Sequence, residues 1–217
     1  MMLMRTQRSK YTGIITMQRE IYKIEDYKAN RKLVYLDEDA PAFCLYSKEI
    51  RQFELKEGVE LTDGVYGEIL AVLTKRARER CLYLLDDMAR TEQQIRKKLK
   101  EGYYPEEAID SVIAYCKEKH YIDDLDYAER FIASKSGSLS RRMIEQKLYE
   151  KGIDKETLSK AIEDSDISEE GTIRTFIRKK YGDISGAEYD DRQKIIRKLL
   201  TRGFAYDTVK RVMTDLT

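Results

Sequence analysis

The chain has 217 residues, 41% hydrophobic and 37% charged, with two prolines and no tryptophan, a helix-favouring composition able to bury a core. Lys and Arg number 41 against 40 Asp and Glu, so the formal net charge is +1, and a uniformly basic surface living by phosphate contacts is excluded. Three dispersed cysteines, no run near the roughly 18 apolar residues of a membrane span and no apolar signal stretch at "MMLMRTQRSKYTG" together point to a reduced, cytoplasmic protein.

Residues 1–13 are polar and basic without periodicity and read as a flexible arm. Residues 14–64 read as a small α+β unit. In "REIYKIED", Ile21 lies on one face and Tyr22 and Ile24 on the other. "RKLVYLDED" and "APAFCLYS" flank an acidic turn, Asp37-Glu38-Asp39, so a hairpin or three-stranded sheet is expected. "SKEIRQFEL" opens on a capping serine and reads as a short helix. After "KEGVELTDG" a longer helix begins at Thr62 or Asp63. So small a sheet needs a helix packed on it. From 65 onward the texture is helical, beginning with "EILAVLTKRARERCLYLLDDMA", where Ile69, Leu70, Leu73, Ala77, Cys81, Leu84 and Leu85 follow helical spacing.

One pattern then recurs: "RTEQQIRKKLKEGYYPEEAIDSVI" (90–113), "SRRMIEQKLYEKGIDKETLSKAI" (140–162) and "DRQKIIRKLLTRGFAYDTVKRVM" (191–213). Anchored on Leu99, Leu148 and Leu199, 49 and 51 residues apart (99 to 148, 148 to 199), six apolar columns coincide. They are Ile95, Ile144 and Ile195; the anchors; Tyr104, Ile153 and Phe204; Ile109, Leu158 and Val209; Val112, Ala161 and Val212; Ile113, Ile162 and Met213. Thr91, Ser140 and Asp191 share one column and are N-cap types, and Thr91 with Gln94 spells a capping box. Gly102, Gly152 and Gly203 suit left-handed C-caps, though Gly102 comes one column early. A second helix starts near Pro105, Asp154 or Tyr206, with Pro105 suited to a first turn. Helices from "YIDDLDYAERFIASKSG", capped by Asp123 or Asp124, and "SEEGTIRTFIRKKYG" complete three-helix units. The expected fold is mainly α: tandem three-helix repeats at 65–122, 123–166 and 167–217, in an elongated array behind the α+β unit.

Lysine always precedes the anchor leucine: Lys98, Lys147 and Lys198. Arg96, Arg141, Arg142, Lys194 and Arg197 stand near them, so each first hairpin helix is basic while the segments between hairpins are acidic. A charge beside a buried leucine is ordinarily a solvated helix face; recurrence in one column makes a partner- or DNA-binding stripe its rival, and both readings stand. His120, the lone histidine, reads as a cap or packed ring, and the cysteines lack metal-ligand spacing. Asp123, Asp124 and Asp126 lack the glycine and terminal glutamate of a calcium loop. Tyr103, Tyr121 and Tyr181 sit near basic residues, where edge packing is the ordinary role and stacking on single-stranded bases the rarer one. Phosphate loops and nucleophile elbows are missing, so neither catalytic residues, metal nor cofactor is expected.

"SRRMIEQKLYEKGI", "YIDDLDYAERFIAS" and "RTEQQIRKKLKEGY…EEAIDSVI" resemble the repeat signature of the RecX family, regulators of the bacterial RecA recombinase. The correspondence lies at Lys151-Gly152 and from Tyr121 through Ile132, and it covers about 76–217. The segment "RKLVYLDEDAPAFCLYSKEI" with "ELKEGVEL" resembles the β domain that precedes the repeats in many Gram-positive members. The resemblance implies a non-enzymatic protein that binds the RecA–DNA filament, restrains recombination and the SOS response in DNA repair, and touches DNA only weakly. A monomer is expected, because no long heptad occurs. One alternative is a stand-alone DNA-binding protein built from helix-turn-helix-like modules, which would bind naked DNA tightly with a steep salt slope. Another is a structural protein with an unrelated partner.

Overall fold

The expected arm at 1–13 lies outside the described residues, because the computed structural model describes 19–163 and 168–216. The described chain is mainly α, with three-helix repeats behind a small region of strands. It divides into two units, Met1–Met88 with Ile95–Lys119, and Ala89–Gln94 with His120–Thr217.

In the first unit, β1 (Arg19–Glu20) pairs antiparallel with β5 (Glu60–Leu61), while β2 (Lys23–Tyr27), β3 (Arg31–Tyr35) and β4 (Pro41–Tyr46) form an antiparallel sheet in that order. Ala29 and Asn30 both take positive φ, 53° and 57°, the pair a tight hairpin with right-handed strand twist demands. The acidic turn is held by the Asp37 carboxylate, which accepts from the Asp39 and Ala40 N–H groups at 3.1 and 3.3 Å. α1 (Ser47–Gln52) follows, but Ser47 does not cap it: its hydroxyl donates to the Asn30 carbonyl, and the Glu49 carboxylate accepts the Tyr46 N–H. α2 (Asp63–Asp87) starts at Thr62, whose side chain accepts from the Val65 N–H. Its Ile69 and Leu73 pack on Ile21, Val34, Phe43 and Leu45, giving the small sheet the cover it needs. Each such buried side chain contributes about 1.5–3 kcal/mol.

The carboxyl half of α2, α3 (Glu92–Lys100) and α4 (Glu106–Glu118) make the first repeat. Cys81 of α2 and Cys116 of α4 bring their sulfurs to 3.5 Å, both free and fully buried. Burial pushes the Cys81 thiol up to about 12. Pro105 is the extended cap residue before α4 and not part of its first turn.

In the second unit, α5 (Asp124–Lys135), α6 (Arg141–Glu150) and α7 (Lys155–Glu163) enclose Ala128, Ile132, Ile144, Leu148, Ile153, Ala161 and Ile162. α8 (Glu169–Tyr181), α9 (Tyr189–Leu200) and α10 (Tyr206–Leu216) enclose Ile173, Phe176, Ile177, Ile195, Leu199, Phe204, Val209, Val212 and Met213. The six apolar columns are therefore buried throughout, save half-buried Tyr104 and Leu158. Asp123 caps α5 through the Leu125 and Asp126 N–H groups, and Thr91 and Gln94 close a reciprocal capping box. Ser140 caps α6, accepting from Met143 N–H at 3.2 Å. Asp191 departs from its column: α9 begins at Tyr189 with Glu188 as cap residue, which puts Asp191 inside the first turn.

The turns after α3, α6 and α9 are Schellman motifs. The N–H groups of Tyr104, Ile153 and Phe204 donate back to the anchor carbonyls of Leu99, Leu148 and Leu199 at 3.3, 3.1 and 3.4 Å. The left-handed residues are Tyr103, Gly152 and Gly203, with φ of 58°, 86° and 89°. Gly102 does not adopt positive φ; a Cβ there would lie 2.9 Å from the Tyr104 ring.

Two of these turns receive the amino end of the previous repeat's hairpin. The Thr91 hydroxyl donates to the Lys151 carbonyl at 2.6 Å, and the Ser140 N–H to the Arg202 carbonyl at 3.1 Å. The approach is close: a Cβ on Gly152 would stand 2.3 Å from Gln93 Cβ, and one on Gly203 2.5 Å from Ser140 Oγ. At the first turn β4 takes that place, with the Cys44 N–H donating to the Tyr103 carbonyl at 3.2 Å and Tyr27 edge-on to the Tyr103 ring.

Candidate partner-binding face

The recurrent basic residues come from α3, α6 and α9, whose isoleucine and leucine four apart face the cores and leave the intervening positions outward. Lys98 and Lys198 are exposed and Lys147 half-buried. Their ion pairing divides them. Lys98 reaches Glu101 at 2.8 Å, Arg141 reaches Glu145 at 2.9 Å and Lys194 reaches Asp191 at 2.9 Å, all within one helical turn or the turn that follows. Lys98 beside it holds the Glu101 carboxyl below the usual range. Such exposed pairs are worth little and are easily exchanged for a partner's carboxylate or phosphate. Arg96 is placed differently, bonded to Glu106 at 3.2 Å and Asp110 at 2.7 Å, so it ties α3 to α4. Arg142, Lys147, Arg197 and Lys198 have no ion pair among the described residues.

Two of the lysines sit in basic clefts that the sequence columns did not disclose. Lys147 shares a cleft of about 580 Å³ with Lys135 and Lys151, beside Phe131 and one acid, Glu150. Lys151 Nζ stands 5.7 Å from the Phe131 ring centre and 5.8 Å from that of Tyr127. Lys98 lines a hollow of about 410 Å³ together with Arg31, Arg80, Tyr27 and Tyr103. Lys198 shares neither. The missed cations Lys135, Arg31 and Arg80 come from other elements, so no spacing along one helix could reveal them. Only Lys151, next to the repeated glycine, had a signal.

Of the other residues singled out, His120 takes φ 55° just past the Lys119 cap of α4, the left-handed position of a helix end. Tyr103 packs on Tyr27 at 5.5 Å and Tyr181 on Phe176 at 6.1 Å, both edge-on, while Tyr121 is 51% exposed. No helix among the described residues is long and apolar enough to cross a membrane.

Comparison with known proteins matches three successive descriptions to the three repeats: RecX, first three-helix domain, at residues 77–116; second three-helix domain at 123–162; third three-helix domain at 168–213. "Regulatory protein RecX" of Clostridium botulinum (strain Alaska E43 / Type E3) is 31% identical over 207 residues, covering 90% of this chain and 95% of that protein. The protein of that name from Caldanaerobacter subterraneus subsp. tengcongensis is 29% identical, covering 88% of this chain and 95% of its own. A crystal structure of regulatory protein RecX aligns with TM-score 0.54 and 27% identity over 90% of this chain and 98% of that one. RecX from Lactobacillus salivarius aligns with TM-score 0.56 and 25% identity over 67% of this chain and 97% of its own.

Proposed function

The chain belongs to the RecX family of regulatory proteins, and from that premise we propose that it is a non-enzymatic negative modulator of RecA. It binds the RecA–DNA filament in the cytoplasm, as a monomer, and restrains the recombinase. The observation that carries the reading is the ordered run of first, second and third RecX domains from 77 to 213. Charge supports it: the total is +1, yet the outward positions of α3, α6 and α9 are basic. Segregated charge steers and registers a protein partner without the strong affinity for naked DNA that a large excess would bring. Repeats also suit a filament, because several weak contacts in one chain multiply into avidity. Lys98, Lys147 and Lys198 are the proposed contacts, with Arg141, Arg142, Lys194 and Arg197 beside them. Arg96 contributes by holding α4.

The test is RecA-dependent ATP hydrolysis on single-stranded DNA with the cognate recombinase and substoichiometric amounts of this protein. Inhibition is expected, and the Lys98→Glu/Lys147→Glu/Lys198→Glu variant, with wild-type helicity, should need about tenfold more protein for the same effect. Inhibition unchanged in that variant moves the contact elsewhere on the molecule. Absence of any effect from folded wild type removes RecA as the partner.

A further inference from the structure

The N-terminal sheet and α2 build a second basic site within the first unit. Arg31 opens β3, Tyr46 closes β4, and Arg76 and Arg80 stand one turn apart on α2, about 6 Å along its axis. With Tyr104 and a single carboxylate, Glu79, they line a cleft of about 270 Å³. The neighbouring hollow that holds Lys98 shares Arg31, Arg80 and Tyr104 with it. One guanidinium is engaged: Arg76 donates to the buried Glu49 carboxylate at 2.5 Å. Arg31 gives its Nε to the Lys28 carbonyl at 3.3 Å, and neither Arg31 nor Arg80 has an ion pair among the described residues. Burial pushes the Tyr104 phenol up from its ordinary value, and the charges of Arg76, Arg80 and Arg31 act against that rise.

The aromatic groups decide which anion this cluster suits. Tyr46 is 38% exposed with the Arg76 guanidinium 4.7 Å from its ring centre, and Tyr83, 67% exposed, has Arg80 at 5.4 Å. Guanidinium forks pair with phosphate or carboxylate alike. A nucleoside phosphate brings with it a flat ring that an exposed tyrosine face beside the arginines can stack. An acidic protein segment would leave those faces idle.

We propose that this cleft binds a nucleoside phosphate, its phosphate held by Arg31 and Arg80 and its base laid against Tyr46. A free nucleotide and a single strand of nucleic acid carry the same chemistry, and the experiment separates them. The site needs no recombinase and does not rest on the RecA reading.

The full chain is titrated against a short fluorescein-labelled thymidine oligonucleotide by anisotropy at low salt, with thymidine monophosphate and polyglutamate as competitors. Wild type should bind, Arg31→Glu/Arg80→Glu should weaken binding at least about tenfold, and Tyr46→Leu about tenfold. Lys160→Glu/Arg211→Glu, an equal charge change at exposed positions, should leave it within about twofold. If the double arginine variant loses helicity, Tyr46→Leu, which keeps both arginines, decides alone. Competition by the monophosphate identifies a free nucleotide, and competition by unlabelled oligonucleotide alone a strand. No binding by wild type, equal losses in the two charge variants, an unaffected Tyr46→Leu, or displacement by polyglutamate as effective as by oligonucleotide would overturn the proposal.

Discussion

After α6 and α9 the left-handed residue is glycine; after α3 it is Tyr103, in the same column and with the same backward hydrogen bonds. The contrast separates two demands that usually arrive together. A left-handed backbone costs a side chain about 1–2 kcal/mol, and Tyr103 shows that the turn tolerates this. What Gly152 and Gly203 alone must satisfy is the neighbour, Gln93 or Ser140, pressed to within 2.3 and 2.5 Å of where a Cβ would stand. The sheet sets a different condition at the first turn, because β4 approaches with its backbone and leaves the ring of Tyr103 free to meet Tyr27.

The most damaging way to break this comparison is to place a side chain in the two close turns. Gly152→Ala and Gly203→Ala should each cost about 2–4 kcal/mol in urea unfolding, the left-handed penalty plus displacement of the docked amino end. Tyr103→Gly sharpens the contrast: relief of the backbone offsets loss of an aromatic pair worth about 0.5–1.5 kcal/mol, so the net change should stay under about 1 kcal/mol. Parallel destabilisation by all three would show that backbone angle alone governs the column.

A smaller effect is expected at the donors. Thr91→Ala removes a cap and a buried bond to the Lys151 carbonyl, about 1–3 kcal/mol, and Ser140→Ala about 1 kcal/mol, since its N–H survives. Asp191→Ala, in the same sequence column, should cost at most about 0.5 kcal/mol by the same measurement, because Asp191 lies inside the first turn.

The smallest effect concerns the buried thiols. The Cys81 thiol is raised from 9.0 to about 12, so the native state holds its proton where the unfolded chain releases it. That stability is complete below pH about 9 and is lost as pH climbs toward about 12. The Cys81→Ala/Cys116→Ala variant should lose part of the alkaline fall in stability, and in wild type both thiols should resist an aromatic disulfide reagent at pH 8 until urea unfolds the chain. Prompt labelling of the native protein would count against a closed α2–α4 interface.

These contrasts also mark what the residues alone disclosed. Apolar columns at helical spacing are a local signal, and every one lies buried or half-buried. Thr91, Ser140 and Asp123 were readable because capping spans three residues. Asp191 misled for the same reason: Glu188 caps α9 three residues sooner, and nothing in that short segment forbids a helix. The basic stripe was visible, but whether a lysine is paired, and with what, depends on chain far away. Arg31 meets Lys98 across a cleft only because a sheet and two helices fold together, and Arg96 turned inward because Glu106 and Asp110 begin the next helix.

The docked amino ends have an electrical consequence. A helix is positive at its start and negative at its finish. Within the second unit the Ser140 N–H brings the positive pole of α6 onto the Arg202 carbonyl at the negative finish of α9, and the Thr91 hydroxyl meets the Lys151 carbonyl at the finish of α6. The charge of α6 agrees with this: it opens with Arg141 and Arg142 and has no acid in its first turn, where the Arg202 carbonyl answers the pole, although α3 keeps Glu92 in its own first turn. At α9 no such carbonyl arrives among the described residues, and Asp190 and Asp191 supply the negative charge instead. A cation at the start of α6 serves its own helix least. Arg141 is held only by an exposed pair with Glu145, and Arg142, without an ion pair among the described residues, stands as charge available to something outside the helix.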